Sequence, residues 1–172
     1  MSRDETKPTA QELLRAERDV QARLGSFPLD FESLDAISNI YRAAASVRRR
    51  AERDVLSDYG LSWGGFTILW VLWVWGQMET AQLAEECGLA KGTLTGMLTT
   101  LEKQGLVERT RVESDRRRVI VTLTEEGGTT IEELFPVFNR FEGEMAGGLS
   151  TEQKQELARL LRIVITNADA EV

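Results

Sequence analysis

Apolar residues recur along most of this chain at spacings of three and four, and in one short stretch the texture changes to β-branched runs. Leu13, Leu14, Val20 and Leu24 form a sparse stripe that predicts a short amphipathic helix over 9–24. Gly25 stops it, and Ser26-Phe27-Pro28 reads as a linker. Next come Phe31, Leu34, Ile37, Ile40, Tyr41, Ala44, Val47, Ala51, Val55 and Tyr59, which share one helical face. They predict a long helix over about 30–59, ended by Gly60. Ser62 is placed to cap a Trp-rich helix reaching Trp75, with Gly76 beyond it.

The middle of the chain predicts two short helices, 80–87 capped by Thr80 and 90–104 closed by Gly105. Joined through Cys87-Gly88-Leu89, they form a helix-turn-helix pattern. Two strand-like runs follow, 106–112 and 118–123, separated by a hairpin loop over 113–117. A hairpin directly after such a helix pair is a wing. Thr124 caps a helix over about 125–145 that contains Pro136, which allows a kink. Ser150 and Gln153 then form a capping box before a last helix carrying Leu157, Leu160, Leu161, Val164 and Ile165.

The expected fold is therefore mainly α: a winged helix-turn-helix with a helical dimerisation region and an extra N-terminal helix. Residues 1–29 form the extension, 30–60 and 125–172 the dimerisation helices, and 61–124 the DNA-binding domain. A small winged core cannot cover a 30-residue helix about 45 Å long. A second copy can, so a two-fold homodimer is expected.

Composition first opposes this reading and then sharpens it. The 172 residues include 21 Lys+Arg, 28 Asp+Glu, one Cys and no His, for a formal charge of −7. Lack of His removes the commonest acid/base and metal ligand, and one Cys excludes an internal disulfide. No metal, no cofactor and no enzymatic role are expected. A pI near 4.8 argues against nucleic acid at face value. The local distribution reverses that argument. Residues 88–122 hold seven basic and four acidic side chains, whereas the segment from Leu123 onward holds four and ten. The start is polar, and the most apolar window, Phe66 to Trp75, would rise only about 15 Å as a helix, half a bilayer core. A cytoplasmic protein without a membrane segment is expected.

The second helix of the pair would enter the major groove of double-stranded DNA, with Lys91, Thr93, Thr95 and Thr99 as its polar readers. Threonine offers a hydroxyl to bases or phosphates and a methyl to thymine. Gly92 and Gly96 would allow close approach. On the wing, Arg109, Arg111, Arg116, Arg117 and Arg118 suit phosphates and a narrow minor groove, while Asp115 would orient an arginine. The Arg48-Arg49-Arg50 and Arg53 cluster is open to three readings: phosphate contact, ligand pocket or solvated face.

These residues carry a family likeness. Leu83-Ala84-Glu85-Glu86-Cys87-Gly88-Leu89, Thr93-Leu94-Thr95, Leu101-Glu102 and Gly105-Leu106-Val107-Glu108-Arg109 resemble the MarR (multiple antibiotic resistance regulator) family. Asp115-Arg116-Arg117, with Leu123-Thr124-Glu125-Glu126-Gly127 behind it, resembles that family's wing tip and strand-to-helix junction. The resemblance implies a dimeric repressor on a pseudo-palindromic operator, with Arg117 as the wing residue that enters the minor groove. It also implies release by a small aromatic or anionic effector, for which Tyr41, Arg48, Trp63, Phe66 and Trp70 are candidates beside the plainer reading of core packing. The family often has a larger polar residue where Gly96 stands. The extra helix resembles that of a urate-responsive branch, but the matching ligand positions Gln21, Thr67 and Gly96 all depart. Cys87 reads as a small packing residue, since thiol sensors of the family place theirs elsewhere. The competing class is a winged-helix protein–protein assembly module without DNA binding.

Overall fold

The computed structural model describes residues 10–170, and the side chains of 14–170 apart from Arg116 and Arg117. The expected helix start at Thr9, the side chain of Leu13, and the wing side chains of Arg116 and Arg117 lie outside the described residues. Two compact units divide the rest, with the boundary between Val47 and Arg48.

The first unit holds α1 (Ala10–Leu24) and the N-terminal part of α2 (Phe31–Asp54). Asp30 starts α2 by accepting the Ser33 hydroxyl at 2.6 Å and the Ser33 N–H at 3.0 Å. That second bond satisfies one of the donors a helix start leaves unpaired. The two bonds, the hydroxyl's first, hold the Asp30 carboxyl below its usual range. The Asn39 amide donates to the Glu17 carboxylate at 2.7 Å and ties the two helices. Tyr41 is 72% exposed.

The second unit begins in the last turns of α2, where Ala51 is buried. The expected long helix breaks at Val55; Leu56–Tyr59 form a tighter 3-10 turn that Gly60 ends at φ 63°. Helix α3 (Trp63–Trp75) follows, and Ser62 caps it by accepting the Gly65 N–H at 3.2 Å. The chain there is apolar on every side, as a helix must be when neighbours surround it. Phe66, Ile68, Leu69, Val71 and Leu72 are all buried. No helix of the described residues is long and apolar enough to cross a membrane.

Strand β1 (Met78–Glu79) leads into α4 (Thr80–Glu86) and α5 (Lys91–Lys103). Gly88, at φ 61°, makes the turn between them. The expected cap at Thr80 is not found: Thr80 is already helical, and Glu79 at the cap position makes no capping bond because Arg118 takes its carboxylate. Strands β2 (Val107–Val112) and β3 (Asp115–Leu123) form the antiparallel wing, and β1 pairs on the other side of β3, giving the order β1-β3-β2. The hairpin is tighter than expected. Asp115 pairs with Val112 after a register shift, so the turn is Glu113-Ser114, and residues 115–117 belong to the strand.

Helix α6 (Glu125–Met145) continues through Pro136 and buries Ile131, Leu134, Phe138 and Phe141. Its first turn is the tightest joint of the unit. Thr124 donates its N–H to the Leu106 carbonyl at 3.1 Å and its hydroxyl to the Gly105 carbonyl at 2.5 Å. The same hydroxyl accepts the Gly127 N–H at 3.0 Å. A Cβ at Gly127 would stand 1.9 Å from the Leu106 oxygen, inside any tolerable contact. The Leu-Thr-x-x-Gly pattern is thus one hydroxyl and one missing methyl joining wing to helix. Helix α7 (Thr151–Asp169) begins with the expected capping box of Ser150 and Gln153, yet none of its residues is buried. Leu157, Leu160, Ile163 and Ile165 are each about half exposed.

Gly127→Ala is expected to destabilise the protein by about 3 kcal/mol, since backbone rather than a side-chain tip would have to yield. At this chain length that lowers the thermal midpoint by roughly 6–12 °C. Gly96→Ala, with nothing within 4 Å of the new methyl, should raise stability by about 0.5–1 kcal/mol. Thermal melts followed by circular dichroism check both; an unshifted Gly127→Ala melt contradicts the joint described here.

Candidate nucleic-acid interface

Leu94, Leu98 and Leu101 anchor α5 in the core, which turns Lys91, Gly92, Thr93, Thr95 and Gly96 to solvent. Nothing lies within 4 Å of a Cβ placed on Gly92 or Gly96. Internal packing therefore requires neither glycine, although each weakens the helix by about 1 kcal/mol relative to alanine. The outer face is kept low and polar, as close approach to base edges requires.

The threonines fall into distinct roles. The Thr95 hydroxyl donates to the Lys91 carbonyl and the Thr99 hydroxyl to the Thr95 carbonyl, both at 2.9 Å. Such bonds back along the helix engage the proton and leave the oxygen to accept. Thr95, exposed, can then receive the exocyclic amine of adenine or cytosine. The Thr93 hydroxyl makes no hydrogen bond among the described residues and can donate or accept. Thr99 differs: it is half-buried and its oxygen also receives Arg109 Nη2 at 3.4 Å. One of the four expected readers is engaged inside the protein.

On the wing, Val107, Arg109 and Arg111 alternate onto one side of β2. Arg109 pairs with Glu102 from the last turn of α5. Arg118 pairs with Glu79 across the β1–β3 edge. Each arginine, chiefly by its hydrogen bonds, holds the carboxyl it faces below the usual range; burial opposes this more weakly. The guanidinium groups are raised in turn, and Asp115 adds a smaller attraction at Arg118. Of the three wing arginines whose side chains are described, Arg109 and Arg118 are therefore matched by carboxylates. Among the described residues Lys91, Lys103 and Arg111 make no ion pair. Glu79 and Glu102 are the partners that sequence reasoning did not identify; Glu102 stood in the family-like Leu-Glu pair, and only its position opposite Arg109 gives it a role.

The arginine cluster of α2 is likewise engaged. Arg48 faces Glu52 at 3.5 Å, Arg50 faces Asp54 at 3.0 Å and Glu144 at 3.4 Å, and Arg53 faces Asp54 at 2.6 Å. Glu52 also accepts the Trp63 N–H at 3.0 Å, so an anion approaching Arg48 meets a carboxylate already in place. Three of the four tryptophans fall in two clusters, while Trp75 is exposed. Trp63 and the buried Phe66 surround Phe138, with centroids 6.0 and 4.2 Å away. Trp70 stacks on Phe135 at 4.6 Å beside Trp73. Tyr41 belongs to the first unit. A cleft of about 80 Å³ opens between Leu61, Ser62, Met97 and Gln104. That is far below the roughly 300–1,000 Å³ of small-molecule sites. No group of three His, Cys, Asp or Glu among the described residues could hold a metal ion.

Comparison with known proteins matches this architecture. A family model described as MarR family matches residues 61–119. The uncharacterised HTH-type transcriptional regulator YwaE of Bacillus subtilis is 39% identical over 160 residues, spanning 91% of this chain and 94% of its own. The structure of a mutant MarR from E. coli with operator DNA superposes with a TM-score of 0.71 at 25% identity, over 77% of this chain and 95% of that one. The organohalide-sensing regulator RdhR, solved with 2,4-dichlorophenol, shares the fold at a TM-score of 0.73 and 22% identity, over 97% of this chain and 89% of that one.

Cys87 ends α4 half-buried, and burial together with Glu86 pushes its thiol from an ordinary 9.0 up to about 11. The thiolate is the reactive form. Near pH 7.5 its population is therefore about 100-fold below that of an ordinary thiol. Alkylation by iodoacetamide should be slower by that order and should climb with pH beyond 10; mass spectrometry of timed aliquots checks it.

Proposed function

Because the chain belongs to the MarR family of transcriptional regulators, we propose that it acts in the cytoplasm as a homodimeric repressor of a pseudo-palindromic operator. The observation that carries this reading is the outer face of α5, low and polar from Lys91 to Gly96, beside a wing whose Arg111 makes no ion pair among the described residues. Lys91, Thr93 and Thr95 read the major groove, Gly92 lets them approach, and Arg111, Arg116 and Arg117 hold phosphates and the adjacent minor groove.

The homodimer is supported by α7. An amphipathic helix with no buried residue has apolar area that a second copy can remove from water. In this reading the extension and the helices over 30–60 and 125–172 join across the two-fold axis, and 61–124 reads DNA.

Release by a small aromatic or anionic ligand completes the proposal. Among Tyr41, Arg48, Trp63, Phe66 and Trp70, the half-exposed Trp70 with its neighbour Trp73 offers the stacking surface, and Arg48 offers the anion contact once Glu52 is displaced. Trp fluorescence titrated with a panel of aromatic acids should change at micromolar to millimolar ligand. A flat response across the panel removes this part of the proposal.

Electrophoretic shift with DNA from upstream of the protein's own gene should give one complex of dimer stoichiometry. Arg117→Ala should weaken it by about 1–3 kcal/mol and reduce the salt dependence, while Lys91→Ala weakens binding and relaxes the preference at the base pair it reads. Absence of any shift, with the fold intact, leaves the assembly-module reading in its place.

A further inference from the structure

Arg109 and Glu102 face each other across the turn that leaves the recognition helix and enters the wing. Glu102 stands in the last turn of α5 and Arg109 is the third residue of β2, with Gly105 at φ 76° between them. Arg109 Nη2 reaches two side chains on the same helix face, the Glu102 carboxylate and the Thr99 hydroxyl at 3.4 Å. The Thr99 hydroxyl is itself fixed by its bond to the Thr95 carbonyl. On the wing side Arg109 is held in register opposite Val121, which is fully buried in the core. Both charged side chains are mostly covered, at 26% and 30% exposure, so the pair is less screened than a surface ion pair.

We infer that Arg109, Glu102 and Thr99 form a brace fixing the recognition helix against the wing, and that they are positioning residues for DNA binding rather than contacts to DNA. The inference rests on the proposed DNA-binding reading and assigns the division of labour within that site. A phosphate taken by Arg109 would have to displace both a carboxylate and a hydroxyl already on it. Arg111, two residues along the same side of the strand, has no such partner among the described residues and meets the phosphate instead.

The two roles differ in sign and in salt dependence. If Arg109 held a phosphate, Glu102 would be a competing negative charge, and Glu102→Ala would tighten binding. If the three form a brace, Glu102→Ala releases the helix from the wing and loosens binding although a negative charge has left the interface. Each lost phosphate contact also lowers the slope of log Kobs against log salt by about 0.9 per protomer. A lost brace leaves that slope unchanged.

The experiment uses the full-length protein and its own upstream DNA fragment, titrated at several salt concentrations, with thermal melts confirming that each variant is folded. Arg109→Ala and Glu102→Ala should each weaken binding at least tenfold with the salt slope of the wild type. The double variant should lose no more than Arg109→Ala alone. Arg109→Lys should recover a large part of the affinity, and Thr99→Val should weaken all sites equally without relaxing preference at any one base pair. Tighter binding by Glu102→Ala, or a salt slope reduced by about 0.9 per protomer in Arg109→Ala, overturns the brace while leaving the DNA-binding reading intact. A folded wild type that shifts no DNA overturns that reading and the brace with it.

Discussion

The contact between Gly127 and the Leu106 carbonyl is the constraint from which the rest of the second unit takes its geometry. Leu106 stands where the recognition helix has ended and β2 begins, and Thr124 stands where β3 has ended and α6 begins. Three bonds from Thr124 and one absent methyl close that point. The wing cannot slide along the helix pair, because its two strands are fixed at their inner ends by the same joint. Core leucines from α5 and aromatics from α6 then fill the space on the two sides. Directional backbone bonding sets the angles here, and hydrophobic burial supplies most of the stability.

Charge works on this frame in two tiers. Arg109 with Glu102, and Arg118 with Glu79, join elements and add little net field. Lys91, Lys103 and Arg111 add field without joining anything among the described residues. A simple count of seven basic residues over 88–122 therefore overstates what is available to a polyanion. The acidic excess elsewhere further weakens attraction to arbitrary DNA, so occupancy depends on the fit of a particular site more than on charge.

Much of this was legible in the linear pattern, for reasons that are local. Ser62, Thr124 and the Ser150–Gln153 box act on backbone groups within three residues, so their capping roles follow from local sequence. The turn at Gly88, the wing order and the buried α3 follow from periodicity and glycine placement. What escaped the pattern is non-local. Thr80 is the first helical residue rather than the cap, and Glu79, at the cap position, is held instead by Arg118, 39 residues away. A run of charged residues gives no alternation to mark a strand, so the linear pattern leaves 115–117 in the hairpin loop although they belong to β3. Thr99 resembles its neighbours in sequence and differs only in facing Arg109.

Gly92 and Gly96 bear on the history of the chain as well as its present form. At most interface positions a new side chain must first be tolerated by the fold, and many candidates are lost to that filter. Open space surrounds both of these sites, and almost any replacement strengthens the helix. If α5 reads bases as proposed, a single codon change there adds a reading group with no compensating change elsewhere. The two barest positions on the helix are where its evolvability is concentrated.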